Sequence, residues 1–158
     1  MQGEQGPNAV QRGGFDPHTV FEKILADELP ATFVYRDELV AAFMDIQPIT
    51  PGHTLVVPLI KAATLAELPA PTGARMFTVA QRVAAAIRHT DLACEGVNLF
   101  LADGAAAGQT VFHLHLHVFP RYTDDGFRWK LPDGYYTPPP RDEIERTGAA
   151  IRAALAAG

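Results

Sequence analysis

Short apolar runs alternate with turn-forming residues along most of the chain. Val20, Phe21, Ile24 and Leu25 recur at helical spacing behind Asp16-Pro17. This predicts a helix with Asp as N-cap and Pro at its first position, ended by Pro30. Apolar stretches at 31–36 and 39–44 flank the polar Asp37-Glu38 and predict a β-hairpin. Residues 45–52 carry two prolines, which cannot donate to a ladder, and read as a rigid loop before a third strand over 53–57. The spacing predicts a long helix over 72–89, with Met76, Phe77, Ala80, Val83, Ala84 and Ile87 on one stripe. A fourth strand follows at 96–101, a Gly/Ala loop at 103–108, and a fifth strand at 111–119 closed by Pro120. Residues 122–140 mix aromatics with four prolines and read as an extended arm, and Ile144, Ala149, Ile151 and Leu155 suggest a terminal helix. Three strands before the long helix and two after it predict an α+β fold built on a mainly antiparallel sheet. The expected divisions are a disordered leader over 1–15, a main domain over 16–121, and an arm and helix over 122–158.

The 158 residues make about one domain's worth of chain, with 47% hydrophobic and 20% charged residues. The formal net charge of −5 argues against a general nucleic-acid binder, which needs a basic surface to displace counterions. A small anionic substrate is still compatible, since a few local donors can hold one phosphate group. The single cysteine rules out a disulfide framework and any zinc site built on cysteine pairs. No run approaches the ~20 apolar residues of a membrane-spanning helix, and the first fourteen residues lack an apolar stretch of signal-peptide length. The expected location is the cytoplasm, with no membrane partner.

Three of the six histidines fall within five residues, His113-Leu114-His115-Leu116-His117. Alternation along a strand would send all three imidazoles to one face and Leu114, Leu116 and Val118 to the core. A merely wet strand face has no need of this pattern. Two chemistries use it: a metal site of several nitrogen ligands, or attack on phosphorus by one imidazole while its neighbours hold the reacting group. The preceding loop favours phosphorus. Gly104 and Gly108 let backbone N–H groups approach an anion, and Gln109 and Thr110 add side-chain donors.

The segment Gly108-Gln109-Thr110-Val111-Phe112-His113-Leu114-His115-Leu116-His117-Val118-Phe119-Pro120-Arg121 resembles the histidine triad family of nucleotide hydrolases and transferases. Phe43-Met44-Asp45-Ile46 and Pro51-Gly52-His53-Thr54-Leu55-Val56-Val57-Pro58 look like its second block, and Val20–Ile24 with Glu28-Leu29-Pro30 match its N-terminal helix. The likeness covers about residues 18 to 121. It implies a five-stranded antiparallel sheet with a long helix, pairing into a homodimer.

The resemblance also implies roles. His115 would be the nucleophile, attacking the α-phosphorus of a purine nucleotide to give a transient nucleotidyl-histidine. His117 and His53 would flank the transferred phosphate, with Gln109 and Thr110 contacting phosphate or leaving group. Asp45 would hold the ribose hydroxyls. Phe21, Ile24, Phe43 and Ile46 would form the base pocket, Gly108 would serve the phosphate loop, and His113 would support the site. Some bacterial relatives carry a structural zinc on a Cys-x-x-Cys pair and two histidines. Thr19, Glu22 and Lys61 stand at three of those positions, so no metal site is expected. Ala102 replaces an asparagine common ahead of the triad. The implied substrate is a purine nucleoside phosphoramidate or a dinucleoside polyphosphate. No cofactor would be bound permanently, although a polyphosphate substrate could bring Mg2+. The alternatives are a nucleotide-binding regulator with incidental turnover and a metal-dependent enzyme using the histidine strand.

Overall fold

The computed structural model describes residues 16–158; the expected leader at 1–15 lies outside them. The described chain divides into two compact units, one ending at Asp125 and the other spanning Gly126–Gly158.

The first unit contains helix α1 (Val20–Leu25), strands β1 (Phe33–Arg36), β2 (Val40–Met44) and β3 (Thr54–Pro58), helix α2 (Ala70–Ile87), and strands β4 (Gly96–Leu101) and β5 (Leu116–Arg121). The strands form one antiparallel five-stranded sheet in the order β1-β2-β3-β5-β4. This is the α+β architecture that the sequence predicts. The β1–β2 turn forms because the Asp37 carboxylate accepts the backbone N–H groups of Leu39 and Val40, each at 2.9 Å. Arg75 on α2 then ties the helix to this hairpin, through Asp37 at 2.7 Å and the Tyr35 hydroxyl at 2.6 Å.

Alternation along the central strands sorts side chains between two layers. Val40, Ala42, Val56 and Val118 face α2 and meet Met76, Val79, Ala80, Val83 and Ile87. Ala41, Phe43, Leu55 and Val57 face the other way and pack with Phe21 of α1 and Val111. The buried positions of α2 are 72, 76, 79, 80, 83 and 87, an unbroken helical stripe. Phe77, placed on that stripe by the sequence reading, is 54% exposed because it lies about 100° around the helix from Met76.

The start of α1 and the start of the last strand differ from expectation for a visible reason. Helix α1 begins at Val20 rather than at Asp16, because the Asp16 carboxylate is spent on a preceding turn, accepting His18 N–H at 2.9 Å and the Thr19 hydroxyl at 3.0 Å. The last strand begins at Leu116 rather than at Val111. Ahead of it, Phe112 N–H donates to the Pro17 carbonyl and Leu114 N–H to the Ala62 carbonyl, both at 2.8 Å. Those donors are committed outside the sheet, so the ladder cannot start before Leu116. His113 and His115 therefore sit on an irregular segment leading into β5, and only His117 is on the strand. The strand also runs through Pro120 to Arg121 instead of closing at the proline.

In the second unit, turns at 132–137 precede helix α3 (Arg141–Ala157), the expected terminal helix. Asp142 and Glu143 lie in its first turn, where they complement the positive end of the helix dipole. Arg141–Glu145 and Asp142–Arg146 pair along its surface. Among the described residues no helix is long and apolar enough to cross a membrane.

The loop between β2 and β3 turns sharply at Gly52, where φ is +98° and an added Cβ would lie 2.8 Å from Leu92 Cδ1 and 3.3 Å from Pro120 Cγ. Gly52→Ala combines a left-handed backbone with a close contact, so it should destabilise the fold by about 1–3 kcal/mol, as read from chemical denaturation midpoints.

Candidate functional site

Three elements converge on one end of the α1 face of the sheet. Helix α1 and the following turn supply Val20, Phe21, Ile24, Leu29, Pro30 and Ala31. Strands β2 and β3 with their loop supply Phe43, Met44, Asp45, Ile46, Gln47 and Leu55, and the histidine segment supplies Thr110, Val111, His115 and His117. Together they line a cavity of about 380 Å3. The lining is mostly apolar, with Asp45, Gln47, Thr110, His115 and His117 as its polar members, a composition suited to a ligand with an apolar body and a polar head.

The hydrogen-bond partners of the imidazoles set where their protons sit. His115 Nδ1 lies 2.8 Å from the His113 carbonyl, an acceptor, so Nδ1 carries the proton and Nε2 keeps its lone pair. Ile49 N–H donates to His53 Nδ1 at 3.1 Å, so the proton of His53 is on Nε2. That N–H donates to His117 Nδ1 at 2.8 Å, which leaves His117 with its proton on Nε2. A chain of two donated hydrogen bonds thus fixes His117 as a donor, while His115 beside it keeps an unprotonated Nε2. Their ring centroids are 4.7 Å apart.

All four imidazoles of the cluster are held below their usual proton affinity. For His117, burial first and the neighbouring charges of His115 and His53 second push the pKa down to about 3. Burial is also the main cause for His53, His113 and His115. At His53 and His115 the Asp45 carboxylate opposes it. Asp45 Oδ2 stands 3.5 Å from His53 Nδ1, while its Oδ1 accepts Gln47 N–H at 2.8 Å.

The structure gathers most of the predicted site residues. His115, His117, Thr110, Asp45, Phe21, Ile24, Phe43 and Ile46 all line the cavity. His53 lies behind them, 1% exposed and joined to the site through His117. Two expected contacts are placed elsewhere, those of Gln109 and Gly108, whereas His113 supports the site as expected. Gln109 is turned inward: its Oε1 accepts Gly104 N–H at 2.7 Å and its Nε2 donates to the Ala63 and Val111 carbonyls at 2.8 and 3.1 Å. It fastens the Gly104–Gly108 loop and so sets the approach to Thr110. Gly108 does not line the cavity; at φ +90° it ends a 3-10 turn, its N–H donating to Ala105 O. His113 is buried under the site, with Nε2 donating to the Pro58 carbonyl at 2.8 Å and its own carbonyl holding His115.

Leu55 and Val111 line the cavity although the sequence reading assigned them no role. Leu55 was within reach of it, because it pairs directly across from Phe43 in the β2–β3 register.

Asp45, His53 and His117 each offer a ligand-type atom within 4.8 Å of the others. A metal there would have to displace the Ile49 and His–His hydrogen bonds. At the positions where some relatives carry zinc ligands, the Lys61 ammonium pairs with the Glu22 carboxylate beside His113. An ammonium cannot ligate a metal and repels a divalent ion, so this set of side chains does not fit zinc.

The HIT domain family profile matches residues 26–124, well over half of the chain. The chain belongs to the HIT family. It is 42% identical to an uncharacterized HIT-like protein of Borreliella burgdorferi over 112 residues, 70% of this chain and 81% of that protein. It is 37% identical to the purine nucleoside phosphoramidase of Escherichia coli K12 over 103 residues, 63% of this chain and 84% of that enzyme. The crystal structure of a HIT family protein from Bacillus anthracis superposes with a TM-score of 0.77 at 33% identity, covering 85% of this chain and 95% of that one. The five-stranded sheet is therefore the HIT fold, and the histidine segment lies within the matched residues.

The lowered imidazole pKa values have a definite sign for stability. An unfolded histidine takes up a proton near 6.5, whereas these remain neutral in the folded chain to lower pH. Acidification below about 6.5 therefore favours the unfolded state, and the loss continues down toward the pKa of about 3 at His117. Denaturation midpoints should fall through that window, and imidazole nitrogen NMR at neutral pH should show the triad unprotonated, with the His115 proton on Nδ1.

Proposed function

We propose that this HIT family member is a nucleotide hydrolase that cleaves at the α-phosphate of a purine nucleoside phosphoramidate or a dinucleoside polyphosphate. What supports the reading is the state of His115: a neutral imidazole, its proton fixed on Nδ1 by a backbone carbonyl, lining a cavity whose walls are mostly apolar. Such a nitrogen is a nucleophile at neutral pH without a separate base. Its Nε2 lone pair forms a bond to the α-phosphorus as the bond from phosphorus to the leaving group breaks. The leaving group departs with the electron pair and takes up a proton. Water then attacks the same phosphorus, the N–P bond breaks, and the nucleoside monophosphate is released while water's proton passes to solvent.

The neighbours divide the remaining work. His117, with its proton on Nε2, donates to a phosphate oxygen as charge builds there. His53 sets that proton's position from behind. Thr110 faces the cavity and can donate to the leaving group. Asp45 keeps one oxygen for a ribose hydroxyl while Gln47 N–H occupies the other. Phe21, Ile24, Phe43 and Ile46 hold the base. Ile46 lines the cavity yet is 84% exposed, so a bound base would take a large apolar side chain out of water. The name of the E. coli relative, purine nucleoside phosphoramidase, is consistent with the first substrate class. The reaction as drawn needs no resident metal, and a polyphosphate substrate would bring its own Mg2+.

His115→Ala should reduce turnover of an adenosine phosphoramidate and a diadenosine polyphosphate by about a thousandfold or more, while AMP still binds by calorimetry. Unchanged turnover would overturn the nucleophile assignment. Binding without turnover in the parent chain would favour a regulatory nucleotide-binding protein, and turnover abolished by a chelator would favour metal chemistry.

A further inference from the structure

Helix α1 walls the proposed base pocket, yet it has only six residues and no side-chain cap at its N-terminus. A helix this short has no stability of its own, so its position depends on what holds it. At its C-terminal end Arg36 Nη2 donates to the Leu25 carbonyl at 3.0 Å. At its N-terminal end one side chain makes two attachments: Lys61 Nζ donates to the His18 carbonyl at 2.9 Å and pairs with the Glu22 carboxylate. The same end is sealed to the triad segment, because the His18 ring stacks on Phe112 at 4.9 Å and Phe112 N–H donates to the Pro17 carbonyl.

The ion pair also lies against the support of the nucleophile. Glu22 and Lys61 act on the His113 imidazole in opposite directions, the carboxylate favouring its protonation and the ammonium opposing it. His113 Nδ1 is a buried atom without a hydrogen-bond partner, and Glu22 Oε1, also buried, is the oxygen that Lys61 holds. His113 in turn supplies the carbonyl that fixes the His115 proton. Phe21 of α1 meets both rings edge-on, with centroids 6.0 Å from His113 and 5.1 Å from His115.

We propose that Lys61 is a positioning residue for the nucleophile, an ammonium that pins α1 over the His113–His115 pair and offsets the Glu22 charge beneath it. The proposal rests on reading His115 as the nucleophile. Lys61 touches no substrate; it acts through Phe21, Glu22 and His113. An exposed ion pair on its own would contribute little. This one differs because the ammonium also holds a backbone carbonyl, so one side chain fixes the helix at two points.

The test compares Lys61→Met, Lys61→Arg and Glu22→Gln in the full chain, with folding checked by circular dichroism. With an adenosine phosphoramidate, Lys61→Met should lower kcat by roughly tenfold or more and weaken AMP binding by a smaller factor. Lys61→Arg, which can still reach both partners, should recover most of the loss. Glu22→Gln keeps the link to the His18 carbonyl and should lose less than Lys61→Met. Imidazole nitrogen NMR should show the His115 proton confined to Nδ1 in the parent and shared between both nitrogens in Lys61→Met. A folded Lys61→Met with kcat, AMP affinity and the His115 tautomer all unchanged would overturn the proposal, as would an arginine variant no better than methionine. A parent chain that turns over no nucleotide would defeat the hydrolase reading instead, and the tautomer and AMP affinity would still report on Lys61.

Discussion

The hydrogen bond from His115 Nδ1 to the carbonyl two residues behind it is the constraint on which the site depends. It decides which nitrogen is basic, and it exists only because the chain leaves extended geometry between Val111 and His115. In a regular strand the His113 carbonyl would face a neighbouring strand. Here, backbone donors of that segment go to Pro17 and Ala62, outside the ladder, and the carbonyl is free to take the imidazole. The irregularity is compensated by tight burial of Val111, His113, Leu114 and His115. Because desolvation disfavours the charged form, the same burial keeps the imidazoles neutral. Shape and charge state therefore follow from a single local departure from the sheet.

Much of this was legible in the sequence. Hydrophobic alternation located all five strands and both long helices, and β4 coincides with its expected range. The triad and the Pro51-Gly52-His53 turn pointed to His115, His117 and His53, which the fold brings together from positions more than sixty residues apart. The less legible parts were those in which backbone and side chain compete for the same partners. Asp16 reads as an N-cap by residue type, but its carboxylate is committed to an earlier turn. Gln109 reads as a phosphate donor, yet Gly104 and two carbonyls satisfy it first. Nothing local in the sequence ranks those partners.

The contrast between Gln109 and His117 is instructive for sites of this kind. Both are polar residues next to a cavity that would take an anion. The glutamine amide is exhausted by backbone, which makes it part of the scaffold. His117 receives a hydrogen bond at Nδ1 from His53 and keeps its remaining N–H for whatever enters. The distinction between scaffold and reagent lies in the donors left over, more than in residue type.

The alternation along β2 has an implication for how this protein can change. Val40 and Ala42 serve the α2 core while Ala41 and Phe43 serve the layer that meets the cavity, although all four are adjacent in the chain. The cavity-side layer and the helix-facing core are thus written on interleaved positions of one strand. A change at Phe43 can reshape the cavity with the helix-facing layer intact, whereas a one-residue insertion in this strand would exchange the two layers and disrupt both together.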